Sequence, residues 1–348
     1  MKRVYLDSAA TTPVNKHIIA QLQRDLKNIY GNPSSLHYEG RIASEKVEKA
    51  REQVAKLLGC DTDEIFFTSG ASESNSWVAK CAPYKLVATN DSHTSLEKYK
   101  FKHQKGIYER KTQYGELIKK NIMISYPLIN NEMGYEHLFY RNYPFLHVDL
   151  TQALGKVEIN LHKNPYILFA SASGHKIGGL KGCGILYIKK SLQCHMKALI
   201  EGHQENNLRG GTENVLGIIS FGYAAEETLK NLDKNINKIS DLIIYTIMNM
   251  PSTGGLKYFA NANIINITFK YLNAQTAVQL FDRYGICISA GSACNSGIDE
   301  PSDTLLEFYT KEQALNTIRV SLSPTTTKRE IREFTKVLKK IVDIYDKE

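Results

Sequence analysis

Apolar positions along the chain follow two alternating rhythms. Ala43, Val47, Ala50, Val54 and Leu57 recur every three or four residues, which predicts the buried face of a helix. Residues 64–68 then read as a strand, pass through Ser69 and Gly70, and open into another helical stretch. Further strand-like runs fall at 85–89, 121–126, 144–148, 166–170 and 183–188, most of them separated by helices or loops. This alternation predicts an α/β fold with an open, largely parallel sheet between helices. Ligands of such sheets bind beyond the carboxyl ends of the strands, so residues just after a strand come first as candidates. A long helical region, 212–250, precedes the turn-rich stretch 251–255 (PSTGG), which marks a boundary. Beyond it come a strand at 263–269, a helix at 274–284, short strands near 286–288 and 318–322, and a last helix. Thr327 and Glu330 have the spacing of a capping box for that helix, and Ile331, Phe334, Leu338, Ile341 and Tyr345 form its apolar stripe. We therefore expect a large domain at 16–250 and a smaller α+β domain at 251–348, with residues 1–15 packing on the smaller one.

The 348 residues suit two domains of this kind, and 42% hydrophobic residues suffice for a full core. No apolar run approaches the roughly 18 residues of a membrane span. The start of the chain enters a patterned segment directly, without the character of a signal peptide. Both features lead us to expect a cytoplasmic protein with no membrane partner. Forty-four basic against thirty-six acidic residues leave a net charge of +8. The basic residues are scattered and not interleaved with stacking aromatics, so a solvated surface is expected and a nucleic-acid partner is not. Six cysteines, at 60, 81, 183, 194, 287 and 294, form no CxxC pair and no zinc spacing, so no metal site is expected. Most of them are expected to be buried thiols.

Chemistry concentrates at the predicted strand ends. Lys176 follows the strand at 166–170 within 171–179 (SASGHKIGG). A lone lysine there would be solvated. Among small residues a ligand can approach the backbone, and a desolvated lysine can form a Schiff base. An electron sink such as pyridoxal phosphate also needs a carboxylate at its ring nitrogen, a phosphate cradle and a group against the ring. Asp149, ending the strand at 144–148, can be that carboxylate or simply a helix cap. Gln152 could reach the phenolic oxygen of the ring. Residues 69–73 join a strand to a helix and can present N–H groups to an anion, or can be an ordinary capped turn. His93 can stack on the ring or lie in a surface loop.

Taken in order, nine segments resemble the cysteine desulfurases of the class V aminotransferase family. They are 5–13 (YLDSAATTP), 31–37 (GNPSSLH), 67–73 (FTSGASE), 130–132 (NNE), 147–149 (HVD) with Gln152, 173–176 (SGHK), 209–214 (RGGTEN), 291–294 (GSAC) and 318–322 (IRVSL). The resemblance implies a pyridoxal-phosphate enzyme of fold type I. It puts the Schiff-base lysine at Lys176, the ring-stacking histidine at His93 and the pyridinium partner at Asp149. Cofactor contacts fall on Ala71, Ser72, Gln152, Ser173 and His175. Asn131 would touch both cofactor and substrate, Arg319 the carboxylate of L-cysteine, and Cys294 would take the sulfur as a persulfide. Thr212 would reach the cofactor of a neighbouring subunit, which implies a homodimer. A sulfur acceptor or iron–sulfur scaffold protein is the further partner implied.

The flanks of Cys294, Gly291-Ser-Ala before and Asn295-Ser-Gly after, suit a mobile loop, whereas Cys287 in the apolar run 286–288 reads as a buried thiol. Several positions depart from the family. Residues 70–73 read GASE in place of Gly-Gly-Thr-Glu, and Ser92 precedes His93 where glutamate is usual. The proline expected soon after Lys176 is absent, the stretches 93–130 and 132–149 are short, and the chain stops soon after its last helix without the scaffold-docking tail of some relatives. Selenocysteine lyases and other enzymes of the same fold remain the alternatives, separated by whether sulfide release depends on Cys294.

Overall fold

A computed structural model describes residues 3–103, 120–137, 143–251, 256–291 and 300–345. The chain forms two compact units. The first comprises 1–12, 129–136 and 233–348, and the second 13–128 and 137–232. The opening strand β1 (Val4–Tyr5) belongs to the first unit.

The second unit begins with α1 (Lys16–Asn28) and α2 (Tyr38–Leu58). His37 caps α2 by accepting the Gly40 N–H, and the helix ends at Gly59 in a left-handed conformation. Ala43, Val47, Ala50, Val54 and Leu57 are all buried, the helical face read from the sequence. Next come β2 (Ile65–Thr68), α3 (Ala71–Cys81), β3 (Lys85–Ala88), β4 (Ile122–Pro127), β5 (Leu146–Asp149), β6 (Ile167–Ser173), β7 (Gly184–Ile188) and α4 (Val215–Lys230). The six strands form one sheet in the order β2-β7-β6-β5-β4-β3. β3 to β6 are parallel, and β7 runs against both its neighbours. Nearly every residue of these strands is buried, as expected of a sheet covered on both faces.

The remaining elements form the first unit: α5 (Leu232–Met248, from Asp233 onward), β8 (Lys257–Asn261), β9 (Ile264–Thr268), α6 (Ala274–Arg283), β10 (Ile286–Cys287), β11 (Ser289–Ala290), α7 (Asp303–Phe308), α8 (Lys311–Leu315), β12 (Thr317–Ser321) and α9 (Lys328–Tyr345). An antiparallel sheet runs β11-β12-β9-β8, and β1 pairs in parallel with β10. The capping box of α9 is present. Thr327 Oγ1 accepts the Glu330 N–H at 3.2 Å, and Glu330 Oε2 accepts the Thr327 N–H at 2.9 Å. Ile331, Phe334, Leu338 and Ile341 are buried, with Phe334 stacked on Phe281, whereas Tyr345 at the end of the stripe is exposed.

The helical region 212–250 is two helices, because α4 stops at Asn231, whose backbone leaves the helical range before α5 begins. The exposed edge strand β8 carries no clean apolar alternation, which is why the sequence reading passed it by. Among the five described cysteines only Cys183 is buried. Cys60, Cys81 and Cys287 are half-buried and Cys194 is exposed, so the expectation of mostly buried thiols, Cys287 included, is corrected. On its two-residue strand Cys287 points to the opposite face from the buried Ile286.

Candidate active site

Because β7 is antiparallel to β2 and β6, β2 points the same way as β3 to β6. Their carboxyl ends therefore share one edge of the sheet, and the candidate residues of the second unit follow these ends.

Ser69 and Gly70 join β2 to α3, so Ala71 and Ser72 stand in its first turn, where N–H groups lack acceptors within the helix. β7 closes this turn from behind. A Cβ on Gly184 would sit 2.6 Å from Gly70 Cα, so the two backbones meet only because position 184 is glycine. In front there is room, since a Cβ on Gly70 would find nothing nearer than Ser173 Oγ at 3.9 Å. Ser74 Oγ donates to Ile185 O at 2.9 Å and lies 2.8 Å from Thr68 Oγ1, tying α3 to both strands. Glu73 accepts the Ser69 N–H at 2.8 Å and a two-pronged contact from Arg209 at 2.9 and 3.2 Å. Burial alone would raise the Glu73 carboxyl. Arg209 and Ser69 outweigh it and hold the group below its ordinary value.

His93 follows β3 and caps a short 3-10 turn. Its Nδ1 accepts the Ser95 N–H at 3.1 Å and lies 2.9 Å from Ser95 Oγ. Asp149 is the buried last residue of β5. Its two oxygens accept from Asn75 Nδ2 and from the Thr151 N–H, each at 2.9 Å. Two residues earlier on the same face, His147 bridges Ser125 Oγ (2.7 Å) and Ser171 Oγ (2.8 Å) on the flanking strands. Burial pushes His147 down to about 4 against the opposing pull of Asp149, so it is neutral at pH 7. Gln152, also buried, accepts from Lys156 Nζ at 2.7 Å.

Ser173 ends β6, and the tight turn Gly174–Ile177 carries His175 and Lys176 before closing at Gly178, whose φ of +89° suits glycine. Burial first, then Lys176 and Lys181, push His175 down to about 4. The positive charge of the two lysines, the lesser part of that shift, favours an anion nearby. Thr212 is exposed on a cavity of about 110 Å³ that Ser69, Arg209 and Glu213 also line.

The first unit holds the other candidates. Arg319, in the middle of β12, is 1% exposed. Its Nη1 donates to the Asn131 carbonyl at 2.8 Å, its Nη2 pairs with Asp7 Oδ1 at 3.1 Å, and its buried Nε has no partner. Asn130 Oδ1 accepts the N–H groups of Glu132 and Met133 and so fixes the turn that presents Asn131. Ser289 on β11 stands opposite Arg319 and donates to Asp7 at 2.8 Å. Cys294 lies outside the described residues, four positions beyond Ala290, the last residue of β11.

The sequence alone assigned no role to Asn75, Ser95 or His147 in the second unit, nor to Asp7 in the first. Asn75 could have been found, since it lies four residues after Ala71 on the same face of the helix that opens the cradle.

A family model described as aminotransferase class-V matches residues 4–96 and 118–334. The chain belongs to the class-V aminotransferase family. Among its relatives is the cysteine desulfurase IscS of Dictyoglomus turgidum, 35% identical over 99% of this chain and 95% of that protein. Its fold is similar to the X-ray structure of a NifS-like protein from Rickettsia africae, with a TM-score of 0.83, 28% identity and coverage of 98% and 100% of the two chains. It is similar also to SspA in complex with cysteine, with a TM-score of 0.70, 26% identity and coverage of 93% and 99%. The fold is the type I fold of pyridoxal-phosphate enzymes, and the chain takes that cofactor.

The described residues of this class-V member fit such a group. The room in front of Gly70 faces the first turn of α3, Lys176 and Lys181 make the next turn electropositive, and Asp149 is a buried anion bonded by neutral donors. Beside it Thr151 Oγ1 is buried without a partner. Bare N–H groups, positive charge and a buried carboxylate are what a phosphate and a pyridinium require.

Proposed function

We propose that this chain removes sulfur from L-cysteine, with Lys176 carrying pyridoxal phosphate and Cys294 receiving the sulfur. The observation that supports it most is the shared strand edge, where the α3 cradle, His93, Asp149 and Lys176 all follow carboxyl ends. The second unit is then the cofactor domain. Ala71, Ser72, Ser173 and His175 hold the phosphate end, Gln152 the phenolic oxygen, His93 the ring face and Asp149 the ring nitrogen. Bound pyridoxal phosphate supplies an electron sink for charge that develops at the substrate Cα.

This chain's own groups do the rest. Arg319 binds the carboxylate of cysteine and Asn131 orients the substrate. The Lys176 amine takes the proton from Cα and returns protons as alanine forms. The Cys294 thiolate attacks the substrate sulfur while the C–S bond breaks. Cysteine and one thiol thus become alanine and a persulfide, with no outside oxidant or reductant. Thr212 of each chain serves the site of a second copy, so the working form is a homodimer. The protein acts in the cytoplasm and passes its sulfur to an acceptor such as an iron–sulfur scaffold.

The test is to incubate the protein with cysteine and a reductant, then measure alanine and sulfide. The wild type releases both, and Cys294→Ser retains the cofactor's spectrum but releases almost no sulfide. Full sulfide release by Cys294→Ser would move the chain to the selenocysteine lyases or other enzymes of the fold.

A further inference from the structure

One buried amide touches the surroundings of both side chains that would flank the cofactor ring. Asn75, fully buried on α3, donates from Nδ2 to Asp149 Oδ2 at 2.9 Å and to Ser95 Oγ at 3.1 Å. A carboxylate only accepts, so Nδ2 and not Oδ1 must face Asp149, and both amide hydrogens are committed. Ser95 Oγ, having accepted one, still has its own hydrogen to give His93 Nδ1. The Ser95 N–H donates to the same nitrogen. A ring nitrogen receiving two donors carries no hydrogen, so neutral His93 has its hydrogen on Nε2.

The opposite end of the amide strengthens the case. Asn75 Oδ1 is buried with no partner, and an orphaned buried carbonyl is costly. A leucine of similar size would avoid that cost if the position only filled space. The donors are therefore what the position requires.

We propose that Asn75 is a positioning residue that sets Asp149 and, through Ser95, His93 for the bound cofactor with the two hydrogens of one amide. This rests on the roles proposed above for Asp149 and His93. The holoenzymes of Asn75→Leu, Ser95→Ala, the double variant and Asp149→Ala would be compared for dissociation constant of pyridoxal phosphate, visible absorption and melting curve. Asn75→Leu should bind the cofactor roughly ten- to a hundredfold more weakly, the range of a hydrogen bond to a charged group, and shift its visible band. Ser95→Ala should weaken binding less, and the double variant should lose less than the product of the two single losses, because the hydroxyl that reaches His93 is oriented by the same amide. Wild-type affinity and spectrum in a folded Asn75→Leu would overturn the inference, as would losses that multiply. Should Asn75→Leu not fold, Ser95→Ala decides the matter by 15N NMR of labelled histidine. The His93 signals should move towards tautomer exchange, and unchanged signals overturn the inference. If Asp149→Ala leaves the cofactor untouched, the site assignment itself falls. If it perturbs the cofactor and Asn75→Leu does not, only the role of Asn75 falls.

Discussion

Asp149 and Arg319 are both buried charges, and they are held in opposite ways. Asp149 receives neutral donors on both oxygens, the Asn75 amide and the Thr151 N–H. Those bonds solvate the carboxylate without cancelling its charge, which stays available to a cationic ring nitrogen. Arg319 instead shares its charge with Asp7, spends one N–H on the Asn131 carbonyl and leaves Nε unpartnered. Hydrogen bonds from neutral groups prepare a site for a permanent guest. An ion pair inside the protein makes a transient guest compete. On the roles proposed for Asp149 and Arg319, the difference matches a cofactor that stays and a substrate that comes and goes.

The largest test breaks the chemistry of the strand edge while leaving its wiring intact. Lys176→Ala should lose alanine production by at least roughly 10²–10⁴-fold, the range for removing a general base. Its cofactor should remain bound without a covalent link, because the cradle and Asp149 are untouched. Borohydride should attach cofactor to the wild type and not to the variant. Normal turnover by Lys176→Ala would remove this edge from the reaction.

A second test addresses the contested arginine from both sides. Arg319→Ala should lower kcat/KM for cysteine by about 2–4 kcal/mol of transition-state binding, with the cofactor's spectrum unchanged. Asp7→Asn should act in the opposite direction, lowering KM for cysteine. Weaker cysteine binding in Asp7→Asn would make Asp7 an orienting partner and erase the contrast with Asp149.

The smallest effect concerns Glu73, where pairing with Arg209 holds the cradle turn. Its carboxyl lies below the ordinary value, so its stabilisation is complete above about pH 5 and is lost as pH falls through about 4 and below. Glu73→Gln should melt below the wild type at pH 7, and the gap should narrow only as the pH falls below the ordinary glutamate range. A gap that does not depend on pH would mean that the pair contributes nothing through its charge.

The strand-end lysine, aspartate and histidine were legible in the sequence because each follows a recognisable apolar run. The helical face of α2 and the capping box of α9 were legible because 3.6-residue periodicity and cap spacing are local signals. Ser95 and Asp7 were not, because their roles depend on partners brought together by strand pairing and helix packing, 312 positions apart for Asp7 and Arg319, and Asn75 offered only its place on the helix face that opens the cradle. The antiparallel entry of β7 was equally hidden, since apolar content carries no direction. β8 escaped because an exposed edge strand need not alternate.

That antiparallel strand has a consequence for how the protein is made. The turn before α3 is backed by Gly184, and Ser74 is tied to Ile185, 111 positions along the chain. While the chain emerges from the ribosome, the residues of β2 and α3 are synthesised well before β7, which is both the wall behind their anion cradle and the one strand β2 pairs with. Contacts so distant in sequence form late, after the loop between them has closed. A nascent chain stalled before β7 therefore has the cradle's sequence without the backbone that closes it from behind.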